Sequence, residues 1–293
     1  MIDLLKDPMV RRMCTHHGDD DPERIVRRLC AQLLEDAEVN TLPVDLRLLA
    51  SFRGVREIEA VSMLEAGCIF AHDGHLKIQV REQDPERRQR FSIGHEIGHT
   101  FFPGFREERR TRTDGRVGTW DRALGEEFLC EVAASELIFP RSLIVSLQPE
   151  YLTMDSVVTG AEAGEATLEA TALRFASLHL APAAAVNLAP GWRVAELKEM
   201  NSVPRASFFV QMPTPVKWRV KWATSFSGMP LVPKNKSVSD QCDLTNVHEL
   251  ESVDFVGETG LVPGRWNTSA RYVPFYNGNH LQERALVLLS QAP

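Results

Sequence analysis

Along PERIVRRLCAQLLED, residues 22–36, the apolar side chains Ile25, Val26, Leu29, Leu33 and Leu34 recur at helical spacing, and Pro22 suits a first turn. The segment PVDLRLLASF, 43–52, predicts a second helix. The period then drops to two. Leu76, Ile78 and Val80 alternate with His75, Lys77 and Gln79, and Asp73-Gly74 separates this run from CIFAH, which predicts a hairpin. Asp84-Pro85 opens a further helix that Pro103-Gly104 closes. After a polar, arginine-rich loop over 105–122, helical periodicity returns through Leu124, Phe128, Val132 and Leu137 and stops at Pro140.

Beyond Gln148 the chain is alanine-rich and predicts helix as far as about Leu188, with Gly160 and Gly164 between two short helices. From Gly191 the texture changes. Val216, Trp218, Val220 and Trp222 alternate with Lys217, Arg219 and Lys221, the pattern of a half-buried strand, and Asn277-Gly278 marks a turn between two more strands. The expected class is α+β, divided into 1–145, a helical segment 146–190, and a mixed or strand-rich part 191–293.

At 293 residues, 43% hydrophobic and 25% charged, the composition is that of an ordinary globular protein. A net charge of −7 gives no general affinity for nucleic acid or membrane. The opening MIDLLKDPMVRRMC lacks a secretion-signal pattern, and no run is apolar enough for a membrane span. Five scattered cysteines without a CxxC pair suit reduced thiols, so the expectation is a cytoplasmic protein.

The stretch RFSIGHEIGHTFFPG, 90–104, bears two glycines, Gly94 and Gly98, each costing a helix roughly 1 kcal/mol against alanine. His95 and His99 are four apart, hence on one face, and can direct two ring nitrogens at a single ion. Zinc accepts imidazole nitrogen and carboxylate oxygen, and a catalytic site uses three protein ligands while leaving one position open. Glu96 follows the first histidine, placed to act as general base, which is the H-E-x-x-H logic of a metalloprotease. Phe91, Ile93, Ile97, Phe101 and Phe102 mark a largely buried helix, where unpartnered imidazoles would be costly. For the third ligand the next helix offers Glu126, Glu127, Glu131 and Glu136. Glu127 and Glu131 share a face, with Phe128, Val132 and Ala133 on the packing side, and spacing alone does not choose. Gly94 and Gly98 also share a face, where missing side chains admit either the hairpin strand or the glutamate helix.

The run DPERRQRFSIGHEIGHTFF followed by EEFLCEVAASELIFP resembles the ImmA/IrrE family of zinc metallo-endopeptidases. That family shows an arginine-phenylalanine pair ahead of HExxH and a downstream helix of the type E-x-x-A/C-N-x-x-A-A-x-L-L-M-P. The resemblance covers about residues 22–188, with specific motifs in 85–140. Aligned on Pro140, the family's glutamate ligand falls on Glu127, and Cys130, Ala133 and Ala134 match small positions. Glu131 stands where the family has asparagine, so it either orients a ligand or replaces Glu127.

What the resemblance implies is a zincin-like metallopeptidase core in 1–145, a helix-turn-helix-like segment in 146–190 and a sensor or regulatory domain in 191–293. One zinc ion per chain would be held by His95, His99 and Glu127, with Glu96 as base. The strand ending near Val80 would be the sheet edge on which substrate pairs, and the substrate would be a helix-turn-helix repressor, cleaved in a stress or mobile-element response. The alternatives are a DNA-binding regulator with a structural zinc site, or a signal-binding regulator with a vestigial one. Glu162, Glu165 and Glu169 outweigh Arg174 in the segment that would touch DNA, which disfavours the first. An intact HExxH with Glu127 speaks against the second. Among weaker signals, CTHHGDDD at 14–21 reads as a frayed polar terminus rather than a second metal centre or a Cys14 latch on the zinc. His72 and His75 read as solvent-facing. Arg106, Arg109, Arg110, Arg112 and Arg116 read as a solvated loop, and Lys217, Arg219 and Lys221 as a wet sheet face. No oxyanion-stabilising partner can be chosen among Tyr151, Tyr272 and Tyr276.

Overall fold

The computed structural model describes residues 3–105, 120–145, 152–193, 217–277 and 280–291. The five arginines of the polar loop and Tyr151 lie outside these. The fold is mixed α+β, in two compact units: Met1–Leu147 with Gly160–Thr167, and Gln148–Thr159 with Leu168–Pro293.

The first unit contains an ordered helix, α1 (Pro8–His17), whose last four residues, Cys14 to His17, fall in the 14–21 stretch expected to be a frayed terminus. Asp7 caps its start, Gly18 in the left-handed region ends it, and Val10, Met13 and Cys14 are buried. The periodicity is real but only three apolar positions long, and the charged tail after it hid the signal. α2 (Pro22–Asp36) follows, with Asp21 as its N-cap, then α3 (Leu46–Phe52). Three strands form a sheet: β1 (Val55–Val61), β2 (Gly67–His72) and β3 (His75–Arg81). Asp73 and Gly74, at φ 47° and 78°, make the tight β2–β3 turn. His72 is exposed there, whereas His75 is half-buried beside Glu57 at 3.5 Å.

The strand order is β1-β3-β2, with β1 parallel and β2 antiparallel to β3. The strand through Val80 is therefore the centre of the sheet rather than the edge expected there, and the edges are β1 and β2. Leu76, Ile78 and Val80 all point into the core, and β1 supplies the partner the alternating pattern could not announce. Its own face is too polar, Val-Arg-Glu-Ile-Glu-Ala-Val, to read as a buried strand. Two long helices complete the unit, α4 (Glu86–His99) and α5 (Trp120–Ile138), followed by the short α6 (Arg141–Ile144).

In the chain order α7 (Met154–Ala163) and α8 (Leu168–Leu178) come next, and then the second unit's sheet. Its strands are β4 (Ala183–Gly191), β5 (Lys217–Phe226), β6 (Ser252–Gly257), β7 (Trp266–Tyr272) and β10 (Ala285–Gln291), in the antiparallel order β5-β4-β10-β7-β6. A two-stranded ribbon pairs β8 (Phe275–Asn277) with β9 (His280–Gln282), as expected of two strands here; of the Asn277-Gly278 pair, Asn277 ends β8 opposite His280 and Gly278 lies outside the described residues.

Two sequence expectations fail here. Helix was expected to about Leu188, but α8 stops at Leu178 and Ala183–Leu188 are strand. Both faces of β4 are buried, one against α8 and the other in a core with Met229, Val232, Leu244, Val247 and Leu261, so no alternation could show and alanine's helix preference lost to tertiary pairing. In β5, Arg219 is buried rather than wet. Its guanidinium donates to the Gly191 carbonyl at 3.0 Å and the Asn235 carbonyl at 3.3 Å, which satisfies the charge-bearing head where it sits.

Candidate metal centre

α4 carries the histidines, and all eight residues from Ser92 to His99 are buried. A helix walled on every side cannot keep one polar stripe, so its apolar periodicity is weak and its polar groups must be there for each other. α5 faces it with Cys130, Ala133 and Ala134, all buried, whereas Phe128 and Val132 are only half-covered. Of the two elements that the glycines could admit, α5 is the one that enters. A Cβ on Gly94 would lie 3.1 Å from Ala134 Cα, and one on Gly98 would lie 3.0 Å from Cys130 Cα and from Ala133 Cβ. Small residues on both helices bring the two backbones together, and the helix stability lost to two glycines is the cost of that approach.

This closeness brings the glutamates of α5 to the imidazoles. The ring centroids of His95 and His99 are 5.1 Å apart. Glu127 Oε2 lies 3.2 Å from His95 Nε2, and its Oε1 lies 3.7 Å from His99 Nε2. Glu126, buried, sets Oε1 2.8 Å from His99 Nδ1. Glu131 is exposed, and Glu136 points to Arg27 at 3.2 Å. Of the four glutamates that spacing left open, one faces both Nε2 atoms and its neighbour holds the far nitrogen of one ring. His95, His99 and Cys130 also present ligand atoms within 4.8 Å of one another, all three residues buried.

Does this donor set fit a metal ion? His95 Nε2 is buried and makes no hydrogen bond among the described residues, even with a carboxylate oxygen at 3.2 Å. Two ligand atoms at about 2.0–2.1 Å from a tetrahedral ion stand about 3.3 Å apart, which the 3.2 and 3.7 Å separations bracket. The Glu126 carboxylate, able only to accept when ionised, fixes the Nδ1–H tautomer of His99 and leaves its Nε2 lone pair for coordination. The buried group of His95, His99 and Cys130 could bind a metal ion.

Glu96 is buried beside the sheet edge. A Cβ on Gly67, the first residue of β2, would lie 2.9 Å from Glu96 Oε1, so glycine there lets the carboxylate lie against the strand. In the neighbouring position, Cys68 has its thiol pushed up by burial and then by the Glu96 charge. At the far end of α4, Arg53 donates to Thr100 Oγ1 at 2.9 Å and to the Thr100 carbonyl at 2.7 Å, placing a cation where the helix dipole is negative. Among the described residues, no cluster of three metal-ligating side chains includes Cys14, His16 or His17.

Sequence alone marks Glu126 only as a ligand candidate, and its contact with His99 Nδ1 comes from the fold. Consecutive helix residues project about 100° apart, so Glu126-Glu127 cannot serve the same nitrogen, and that was the available signal.

No protein-family model matches the chain, and neither does any curated protein. Among solved structures, a Mycobacterium tuberculosis transcriptional regulator has a similar fold, with a TM-score of 0.55 at 12% identity, over 91% of this chain and 76% of that one. A likeness at that identity is one of fold.

Proposed function

We propose that this protein is a zinc endopeptidase with a zincin-like core, of the ImmA/IrrE kind, acting on a protein substrate. The observation that carries the reading is the convergence of His95 Nε2, His99 Nε2 and the Glu127 carboxylate, with Glu96 one residue from the first histidine. His95, His99 and Glu127 would hold the ion, which when bound supplies Lewis-acid polarisation of a peptide carbonyl and activation of water. Glu96 takes a proton from the attacking water and returns it to the departing amine as the C–N bond breaks. Among the described residues only β3 pairs with β2, and its other side offers backbone donors and acceptors to an extended peptide beside that carboxylate. A helix-turn-helix repressor, encoded nearby, is the substrate class the sequence resemblance suggests.

The second reading is a transcriptional regulator with a structural or vestigial site, and the name of the structural neighbour agrees with it. Against a DNA-reading role for α7 and α8, Arg174, the one basic residue of 153–178, is buried. The experiment is Glu96→Gln, incubated with the neighbouring repressor. Retained metal with cleavage lost supports the peptidase. Undiminished cleavage removes the assigned base, and DNA binding without any cleavage by the wild type favours the regulator.

A further inference from the structure

Asp7 stands 119 positions before Glu126, yet the two are bonded. Its Oδ1 accepts from the Met9 amide at 2.9 Å, the ordinary work of an N-cap. Its Oδ2 accepts from the Glu126 amide, also at 2.9 Å, and the residue is 3% exposed. Capping α1 needs only one of these oxygens. The approach is made possible by Gly125, where a Cβ would lie 2.8 Å from Asp7 Cβ and 3.1 Å from the Leu4 carbonyl. From the clamped amide the chain goes two ways. The Glu126 side chain reaches His99 Nδ1, and the next residue, Glu127, reaches both Nε2 atoms.

We propose that Asp7 is a positioning residue of the metal centre: its second carboxylate oxygen fixes the α5 backbone so that Glu126 orients His99 while Glu127 faces both imidazoles. The inference rests on the metal reading above. The N-terminal helix is thereby part of the site's support. Asp7 touches neither metal nor substrate, and it acts through Glu126.

Asp7→Ser separates the two jobs, since a hydroxyl can still cap α1 but cannot also reach the Glu126 amide. On the full-length chain, zinc affinity is measured by competition with a chromophoric chelator, beside the cobalt-substituted absorption spectrum and the unfolding midpoint of the metal-free protein. Loss of an outer partner costs roughly ten- to a hundredfold in metal affinity. D7S is expected to lose about tenfold, alter the cobalt bands, leave the metal-free midpoint near wild type, and add little to E126Q in the double variant. Gly125→Ala, which displaces the clamp without altering the carboxylate, is expected to weaken zinc binding in the same direction. Wild-type affinity and spectrum in D7S, or full additivity with E126Q, overturns the inference alone. A wild-type chain that takes up no zinc overturns the metal reading, and this inference with it.

Discussion

Glu126 Oε1 and His99 Nδ1 lie 2.8 Å apart in a buried contact between two helices, on the side of the ring away from Glu127. A charged acceptor at one nitrogen makes the other a better electron-pair donor, and it stops the ring from turning. Glu126→Ala is therefore expected to weaken zinc binding by roughly ten- to a hundredfold while leaving His95, His99 and Glu127 unchanged in identity. Chelator competition measures it. Unchanged affinity would reduce the contact to packing.

The glycines of α4 give a prediction opposite in sign to helix propensity. In an exposed helix Gly→Ala gains about 1 kcal/mol. At Gly98 the added methyl meets Cys130 Cα and Ala133 Cβ at 3.0 Å, and overpacking of this kind costs about 1–3 kcal/mol. Gly98→Ala should lower the urea midpoint and separate the helices that carry the proposed ligands, weakening zinc binding as well. Ala133→Gly in the same chain relieves one of the two collisions and should restore part of the loss. The backbone at Cys130 prevents a full rescue.

These helices were the most legible part of the molecule. The spacing of His95, Glu96 and His99 survives any packing, because four residues along a helix always make one turn, and the cost of Gly94 and Gly98 pointed to a close neighbour. Which glutamate faced the imidazoles was not legible from residues alone, since Glu126, Glu127 and Glu131 differ only in where the α5 axis passes. Asp7 could not be foreseen, because a contact across 119 positions leaves no local pattern. The sheet misled for a related reason. The strand through Val80 alternates whether it lies at an edge or in the centre, and β1, which decides that, shows little apolar signal of its own. In the second unit, Ala183–Leu188 read as helix because burial on both faces of β4 erased the period of two.

Cys68 tests the electrostatics around Glu96. Burial raises its thiol above the usual value and the Glu96 carboxylate raises it further. A raised thiol pKa means less thiolate at a given pH, so alkylation at pH 8 should be slower than for a free cysteine and should climb as the pH rises past the usual value of about 8.5. Glu96→Gln removes the larger of the carboxylate charges that raise it and should speed the reaction at pH 8. Mass-spectrometric rates of iodoacetamide labelling at Cys68 decide it, and equal rates in the two proteins would show that the carboxylate charge does not reach the thiol.

In the proposed centre two imidazoles and one carboxylate hold a zinc ion, with Glu127 rather than Cys130 as the ligand from α5. Zinc-edge X-ray absorption on the purified protein reads the ligand atoms directly. The expected result is about one zinc per chain with nitrogen and oxygen neighbours at about 2.0–2.2 Å and no heavier shell. A sulfur neighbour at about 2.3 Å, which would put Cys130 in the place given to Glu127, or a chain that holds no zinc, would contradict it.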